Sequence, residues 1–378
     1  MIWVLFFLFS CYAMLIITLT FGLLKVTEFK SEKTRPKTGF SVIIPFRNEA
    51  ENLPQLVKSI LALEYPKALV EFIFVDDASS DASVAILKQI LDTSSKKGEI
   101  SRTEIQLIKN IRSSNSPKKD AISTAISVAK KNWVLTTDAD CIVPEKWLLT
   151  LDNFIQENNP NMVVAPVNYS VTNSFLEQFQ LLDFMSLQGT TIGSFGVNFP
   201  FLCNGANLAY KKEAFLKLNG FDGNNKIASG DDIFLFEKFL KAHKKGVQFL
   251  KSRDATVTTF PVKTVSDLIQ QRVRWTSKTS RIKSHAVKGI GILILLINLS
   301  VIFSVIFSNN VWMLFLPLFL KITIDFCLFV PTMRFHYPRK PFLKGYLFSS
   351  ILYPFFSVFI VLKSLFSEYN WKGRSFKK

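Results

Sequence analysis

The sequence predicts an α/β domain with a largely parallel sheet, flanked by membrane helices at both ends. Hydrophobic residues make up 48% of its 378 positions and 37 residues are Phe, which is more apolar sequence than a soluble enzyme usually carries. From Phe40 to about Lys283, short apolar runs alternate with helical stretches, a pattern typical of α/β sheets. Long apolar runs stand on either side of that region. We therefore expect a folded central domain attached to a membrane.

The first apolar run, Ile2 to Leu24, is expected to be a retained membrane anchor. It can cross a bilayer as a helix of about 20 residues. It lacks the basic start and the small-residue cleavage site of a removed signal peptide. Basic residues follow the run, which places the following chain in the cytosol by the positive-inside rule. These residues are Lys25, Lys30, Lys33, Arg35 and Lys37.

Three apolar runs near the C-terminus predict further membrane helices, at Gly289–Phe307, Val311–Val330 and Gly345–Leu365. Three simple crossings would put the loop and the tail that flank the last run on opposite sides, yet both are basic. We therefore expect two to three crossings, with the last run, which contains Pro354, as the candidate for an interfacial or re-entrant segment. The basic residues are Arg334, Arg339, Lys340, Lys344, Lys372, Arg374, Lys377 and Lys378.

The predicted parts of the chain are 1–28, an anchor; 38–285, a cytosolic domain; 286–368, a membrane region; and 369–378, a basic tail. The net charge of +17 requires an anionic partner, and lipid head groups account best for basic residues beside apolar runs. The four cysteines are far apart and form neither a disulfide framework nor a CxxC metal site, which indicates a reducing compartment. They are Cys11, Cys141, Cys203 and Cys327.

Short apolar runs in the central domain predict its strands. They are Ser41–Ile44, Glu71–Val75, Ile105–Ile108, Trp133–Thr137 and Met162–Ala165. Between the first two, Leu53, Leu56, Ile60 and Leu63 recur at helical spacing. Alternation of strand, helix and strand, with a short loop at each carboxyl end, builds nucleotide sites in such sheets.

Acidic residues follow two of these strands. Asp76, Asp77 and Asp81 lie in one loop, where they can accept hydrogen bonds from a base and a ribose; Asx turns that cap the next helix are the alternative. Asp138 and Asp140 follow Trp133–Thr137 as residues i and i+2, which project to one side of an extended segment. Two converging carboxylates suit a hard divalent cation that also takes diphosphate oxygens, although a solvated turn explains such a pair too.

Two further groups carry candidate chemistry. Asp231 and Asp232 precede the helical run Ile233–Leu240, where they either cap a helix or supply a general base, preferably Asp232. Lys118 is a candidate phosphate contact, or a solvated surface lysine.

A helix is predicted from Val265 to Lys278, with Gln271, Arg274 and Trp275 on one face. The Arg274 guanidinium can hold a diphosphate, and the Trp275 indole offers a flat surface to a sugar ring. A pair of residues at a membrane interface is the alternative.

Seven short motifs resemble those of glycosyltransferase family 2, an inverting group with a GT-A fold. They occur in the family's order and cover essentially the whole central domain. In chain order they are VIIPFRNE (Val42 to Glu49), FVDDASSD (Phe74 to Asp81), KKDAIS (Lys118 to Ser123), TTDAD (Thr136 to Asp140), NGANLAY (Asn204 to Tyr210), SGDD (Ser229 to Asp232) and QRVRW (Gln271 to Trp275).

The resemblance implies a GT-A domain that binds a UDP-type sugar nucleotide, with Mg²⁺ or Mn²⁺ on Asp138 and Asp140 and with Asp232, next to Asp231, as the base. It implies donor contacts from Pro45, Arg47, Glu49, Asp76, Asp77, Asp81, Lys118, Asp138, Gln271, Arg274 and Trp275. It implies acceptor contacts from Cys203, Asn204, Gly205 and Trp275. The chain departs from the family pattern at Ser123, where Asn is usual, and at Asp231, where Glu is common, and both departures leave the donor sugar open.

The expected function is transfer of one sugar to a lipid or lipid-linked acceptor at the cytosolic face of the cell membrane. A processive polysaccharide synthase is the second hypothesis, because QxxRW is most often seen in such enzymes, although these have more membrane helices. A non-catalytic scaffold is the third, and it predicts losses at the metal pair or the base, all of which are present. Nucleic-acid binding is not expected, since the basic helices lack a recognition motif.

Overall fold

The computed structural model describes residues 2–31, 34–96, 105–172, 174–224, 229–279, 283–308, 310–339, 343–366 and 368–376. Four of the basic residues named above, Lys33, Lys340, Lys377 and Lys378, lie outside the described residues. Contacts divide the chain into two compact units. We call Thr27–Asn168 with Cys203–Phe260 the sheet unit, and Met1–Val26 with Tyr169–Leu202 and Pro261–Lys378 the helical unit.

The α-helices of the described residues are, in chain order, α1 (Ile2–Lys25), α2 (Leu53–Leu61), α3 (Ser83–Lys96), α4 (Pro117–Val128), α5 (Trp147–Asn158), α6 (Phe175–Gly196), α7 (Lys212–Lys217), α8 (Asp231–His243), α9 (Val265–Thr279), α10 (His285–Phe307), α11 (Val311–His336) and α12 (Leu343–Phe366). The strands are β1 (Phe40–Phe46), β2 (Val70–Asp76), β3 (Ile105–Lys109), β4 (Trp133–Thr136), β5 (Met162–Val164), β6 (Val167–Tyr169), β7 (Leu208–Lys211), β8 (Val247–Phe249), β9 (Val257–Thr259), β10 (Tyr369–Trp371) and β11 (Arg374–Phe376).

The sheet unit is built on a mixed sheet of order β3-β2-β1-β4-β7-β5-β8. The pairs β3-β2, β2-β1, β1-β4 and β5-β8 are parallel, whereas β7 is antiparallel to both of its neighbours. Val42, Ile43 and Ile44 in the central β1 are fully buried, as expected where helices cover both faces of a sheet. The predicted α/β fold with a largely parallel sheet is confirmed, and β7 is its antiparallel member.

Parallel pairing brings the ends of neighbouring strands to one edge of the sheet. Phe46 at the end of β1 lies opposite Asp76 at the end of β2, and Asp76 lies opposite Lys109 at the end of β3. On its other side, β1 pairs with β4, which ends at Thr136. The loops that follow these four strands therefore leave the sheet at one carboxyl edge, where α/β sheets commonly bind their ligands.

Among the described residues, the helical unit contains four helices that are long and apolar enough to cross a membrane: Trp3–Lys25, His285–Phe307, Val311–His336 and Gly345–Phe366. One is N-terminal and three are C-terminal, as the sequence predicts. Their length and composition suit a bilayer, while the number of crossings and the orientation stay predictions.

Helix α6 also belongs to the helical unit and packs against α1, α11 and α12. Its contact with α1 requires glycine, since a Cβ on Gly193 would lie 2.3 Å from the Leu19 carbonyl oxygen and one on Gly196 would lie 1.9 Å from that of Gly22. The domain boundaries predicted from the sequence stay a prediction. The predicted cytosolic domain, 38–285, includes Tyr169–Leu202 and the chain from Pro261 to 285, which the division by contacts places in the helical unit.

Candidate active site

A cluster of charged side chains in the sheet unit centres on Lys118, in the first turn of α4. Its Nζ lies 2.6 Å from Asp138 Oδ1 and 3.2 Å from Asp231 Oδ2. Asp138 follows β4 and Asp231 begins α8, so the fold joins three distant parts of the sequence. Three of the predicted site residues thus meet at one point.

Gly205 and Asp232 lie beside this cluster. A Cβ on Gly205 would lie 3.2 Å from Asp231 Oδ2, 3.2 Å from the Asp232 Cβ and 3.6 Å from Lys118 Nζ. The Gly205 backbone is held by the Thr136 hydroxyl, which donates to its carbonyl oxygen at 2.7 Å. The lack of a side chain at Gly205 therefore keeps space open next to both acidic residues.

The two neighbouring acidic residues differ in their surroundings. The Asp231 side chain is 10% exposed and pairs with Lys118, whereas Asp232 is half-buried. Asp232 Oδ1 accepts a hydrogen bond from the Ile233 backbone N–H at 2.8 Å, which is a capping contact of the kind that the sequence left open. Its position beside Gly205 remains compatible with a base.

The charges around Lys118 keep it protonated. Burial by itself lowers the pKa of Lys118, but Asp138, Asp231 and Asp232 outweigh that effect and raise its pKa well above the ordinary value. The pKa of the neighbouring Tyr210 is raised too, by burial and by Asp231, against the opposing effect of Lys118. Lys118 is therefore a fixed cation and Tyr210 a neutral phenol at physiological pH.

Asp138 and Asp140 fit a divalent cation by their chemistry. The backbone turns after β4, with the Cys141 N–H donating to the Asp138 carbonyl oxygen at 3.2 Å, so the alternation expected of an extended segment does not set the direction of Asp140. Within the described residues, no three His, Cys, Asp or Glu side chains group around a metal position. Mg²⁺ is commonly held by one or two carboxylates plus substrate phosphates, so two aspartates are enough for such a site. The carboxylate of Asp138 already pairs with a positive group, the ammonium of Lys118.

The first acidic loop folds onto the segment after β1. Asp76 Oδ1 accepts from the Ser79 N–H at 2.9 Å, as an Asx turn does. Asp81 accepts from the Ser83 and Ala50 N–H groups at 3.0 and 3.2 Å. Although burial raises the pKa of Asp81, hydrogen bonds from Ser83 and Ala50 outweigh it and lower that pKa. The turn interpretation therefore accounts for part of this loop.

The end of β1 and the segment after it contribute the predicted donor residues, Pro45 in the strand and Arg47 and Glu49 beyond it. Pro45 pairs with Val75 in the sheet. The Arg47 guanidinium donates to the carbonyl oxygens of Asp77, at 2.8 Å, and of Ala78. Glu49 accepts from the Asn52 side-chain amide at 2.6 Å. Arg47 thus links the loops after β1 and β2 into one wall at the carboxyl edge.

Two further residues of this wall are not among the site residues predicted from the sequence. Asn110 and Arg112 follow β3, and both reach Asp77, with Asn110 Nδ2 at 2.7 Å and an Arg112 nitrogen at 3.5 Å from its Oδ1. Arg112 also pairs with Asp120 at 3.2 Å. The signal was available in the sequence, because polar residues directly after a strand of this sheet point to its carboxyl edge, as they do after β2 and β4.

The remaining predicted residues lie in two places. Cys203 and Asn204 precede Gly205 in the sheet unit, and the Asn204 side chain accepts from the Ala206 N–H at 3.0 Å. Gln271, Arg274 and Trp275 lie on α9 in the helical unit, so their contribution to donor or acceptor binding stays a prediction.

Comparison with known proteins identifies the family of this chain. A family model described as "Glycosyl transferase family 2" matches residues 41–218. A second, described as "Glycosyl transferase family group 2", matches residues 133–367, which is more than half of the chain.

Among curated proteins, the chain is 23% identical over 244 residues to a poly-beta-1,6-N-acetyl-D-glucosamine synthase from Staphylococcus epidermidis, covering 63% of this chain and 53% of that one. It is 30% identical over 125 residues to a poly(ribitol-phosphate) beta-glucosyltransferase from Bacillus spizizenii, covering 33% of this chain and 18% of that one. The chain thus spans about half of the first relative and less of the second.

Among solved structures, the fold is shared by a mannosyltransferase from Pyrobaculum calidifontis in complex with GDP-Man and Mn²⁺. It is 17% identical and aligns over 95% of this chain and 99% of its own with a TM-score of 0.53. The sheet has the GT-A form, and the second family model includes the whole of α10, α11 and α12. The chain therefore belongs to glycosyl transferase family 2.

Proposed function

We propose that this glycosyltransferase moves one sugar, with inversion, from a nucleotide-diphosphate donor, expected to be a UDP-sugar, to a lipid or lipid-linked acceptor at the cytosolic face of the cell membrane. The observation that carries the proposal is the convergence of Asp138, Asp231 and Asp232 on Lys118 beside Gly205. These groups lie at the carboxyl edge of an α/β sheet, the usual position for a nucleotide.

Asp232 acts as the general base. Of the two acidic residues that begin α8, Asp231 is the more buried and is tied to Lys118, which leaves Asp232 as the more accessible carboxylate. Asp232 takes the proton of the acceptor hydroxyl as its oxygen attacks the anomeric carbon, and the bond to the nucleotide diphosphate breaks. A single displacement of this kind inverts the anomeric configuration.

Lys118 and the carboxylates of Asp138 and Asp140 complete the donor site. The permanent positive charge of Lys118 suits a phosphate oxygen, and Asp138 and Asp140 would hold Mg²⁺ or Mn²⁺. When bound, the cation supplies neutralisation of the charge that grows on the departing diphosphate. Lys118, Asp138, Asp231 and Asp232 carry a formal charge of −2 when all are ionised, since three carboxylates surround one ammonium group, so the cluster attracts a divalent cation.

A lipid or lipid-linked acceptor is proposed because apolar helices precede and follow the sheet unit along the chain. Four helices of the described residues are long and apolar enough to cross a bilayer, and α9 directly precedes one of them along the chain. The basic residues after α1 support a cytosolic position for the sheet unit. Gln271, Arg274 and Trp275 are proposed to contact the donor and the acceptor.

A processive synthase is the second candidate, favoured by the likeness to the Staphylococcus epidermidis poly-N-acetylglucosamine synthase over 63% of this chain. We expect purified full-length protein in detergent, given a nucleotide-sugar panel, Mn²⁺ and membrane lipid extract, to add a single sugar. Mass spectrometry of the product distinguishes the two functions. A ladder of products that grows with time would contradict single transfer and support the synthase.

A further inference from the structure

The motif helix α9 carries a buried arginine that is not one of its predicted site residues. Arg272 lies between Gln271 and Arg274 in sequence, and it is only 5% exposed. Its Nε donates to Asp183 on α6, and another guanidinium nitrogen donates to the Gln271 side-chain oxygen. The guanidinium carbon also lies 4.2 Å from the centre of the Trp275 ring. Arg272 therefore touches two of the three predicted site residues on its own helix.

Asp183 is held in turn by a second helix. The Tyr353 hydroxyl on α12 donates to Asp183 Oδ1 at 2.9 Å, while Asp183 Oδ2 accepts from Arg272. Asp183 is 6% exposed, so Arg272 and Tyr353 supply the hydrogen bonds that water would otherwise give to this carboxylate. A continuous chain of polar contacts thus runs from α12 through α6 to the side chains of α9.

Apolar packing accompanies these contacts but leaves side-chain orientation open. Val273 of α9 and Ile360 of α12 are buried together, with Ile269, Phe356 and Phe376 packed against them. This cluster fixes the helix against its neighbour. The planar guanidinium of Arg272 can fix side-chain orientation, because it can bond to a carboxylate and an amide in its plane while an indole stacks on its face.

We propose that Arg272, clamped by Asp183 and Tyr353, is a positioning residue that sets the orientation of Gln271 and Trp275. This rests on the proposed function, in which those two side chains contact the donor and the acceptor. The contacts that define this role join the buried Arg272 side chain to Asp183, Gln271 and Trp275, all of which belong to the helical unit.

Arg272→Lys tests the proposal while preserving the positive charge that pairs with Asp183. A lysine has no planar fork, so it cannot bond to Asp183 and Gln271 and stack on Trp275 together. We expect kcat/KM to fall about 10- to 100-fold, mainly through higher KM values for the donor and the acceptor, because small displacements of binding groups have effects of this size. Tyr353→Phe, which removes a single hydroxyl, should have the same pattern with a smaller effect.

Matched variants control for general damage. Tyr346 lies on α12, as Tyr353 does, and Tyr346→Phe removes a phenolic hydrogen bond to the Ile322 carbonyl oxygen of α11. It should leave the KM values of donor and acceptor unchanged. Arg253→Lys makes the same replacement at an arginine paired with Glu28 in the sheet unit and should also be neutral.

A fluorescence readout separates this proposal from the proposed function, because it needs no turnover. Subtracting the emission spectrum of Trp275→Phe from that of the native protein gives the contribution of Trp275. The same subtraction between Arg272→Lys and the double variant Arg272→Lys, Trp275→Phe gives its contribution when Arg272 is replaced. We expect Arg272→Lys to shift that difference spectrum and to increase its quenching by acrylamide, and we expect Trp275→Phe to add little to the kinetic defect of Arg272→Lys. An unchanged Trp275 spectrum, or additive kinetic effects, would overturn the positioning role. A shifted spectrum in a protein that transfers no sugar would support positioning and refute the proposed function alone.

Discussion

Replacing Asp232 by Asn is expected to lower kcat for sugar transfer by about 10²- to 10⁴-fold, the usual contribution of a general base. Asparagine has nearly the same shape and keeps a side-chain oxygen for the Ile233 N–H, so α8 should begin as before. It cannot take a proton from the acceptor hydroxyl. The donor KM should change little, and steady-state release of nucleotide in detergent measures both constants.

The control for this variant is Asp222→Asn, the same change at an exposed carboxylate in the sheet unit. It should retain native turnover. Equal turnover by native protein and Asp232→Asn would remove Asp232 from the role of base and direct attention to Asp231.

Replacing Asp138 by Asn is expected to lower metal-supported transfer by about 10²-fold or more, since the cation at a departing diphosphate contributes several kcal/mol. Lys118 should stay in place through its pairing with Asp231, at 3.2 Å, so the loss reflects the cation more than a collapsed cluster. The measurement is transfer rate against Mn²⁺ concentration, and the half-saturating concentration should rise. Asp140→Asn should act in the same direction.

Glu213→Gln is the matched control, because it also removes a carboxylate paired with a lysine, Lys217, but at a side chain that is 75% exposed. Its metal response should equal that of the native protein. If Asp138→Asn also responds to Mn²⁺ as the native protein does, the assignment of the cation to Asp138 is wrong.

Much of the fold could be predicted because its signals are local. The central strands are continuous apolar runs that the sheet buries on both faces, as Ile43 and Ile44 illustrate. Each predicted end lies within two residues of the observed one, and the predicted starts of β3, β4 and β5 are the observed starts. The antiparallel direction of β7 could not be read, since a four-residue run carries no sign of direction. Helix α6 was not predicted, because apolar residues alternate in it with buried polar ones such as Gln180 and Asp183. These polar side chains bond to residues of other segments, Val262 and Arg272, which the local sequence does not reveal.

The candidate site was predictable to the extent that acidic residues follow strands. That reasoning identified Asp138 and the Asp76 loop, but it could not show that Lys118 would stand between Asp138 and Asp231, because that depends on packing of α4 and α8. It did not single out Arg272, since the sequence does not reveal which arginine is buried against a carboxylate.

The central claim is that Asp138, Lys118 and Asp231 belong to one site for a divalent cation and a nucleotide diphosphate. The most direct test is titration of full-length protein with Mn²⁺, followed by electron paramagnetic resonance, alone and with a panel of UDP, GDP and dTDP. We predict that one nucleotide, expected to be UDP, strengthens Mn²⁺ binding, that Asp138→Asn abolishes this effect and that Asp232→Asn preserves it. Mn²⁺ binding that is the same with every nucleotide, or that survives unchanged in Asp138→Asn, would contradict the claim.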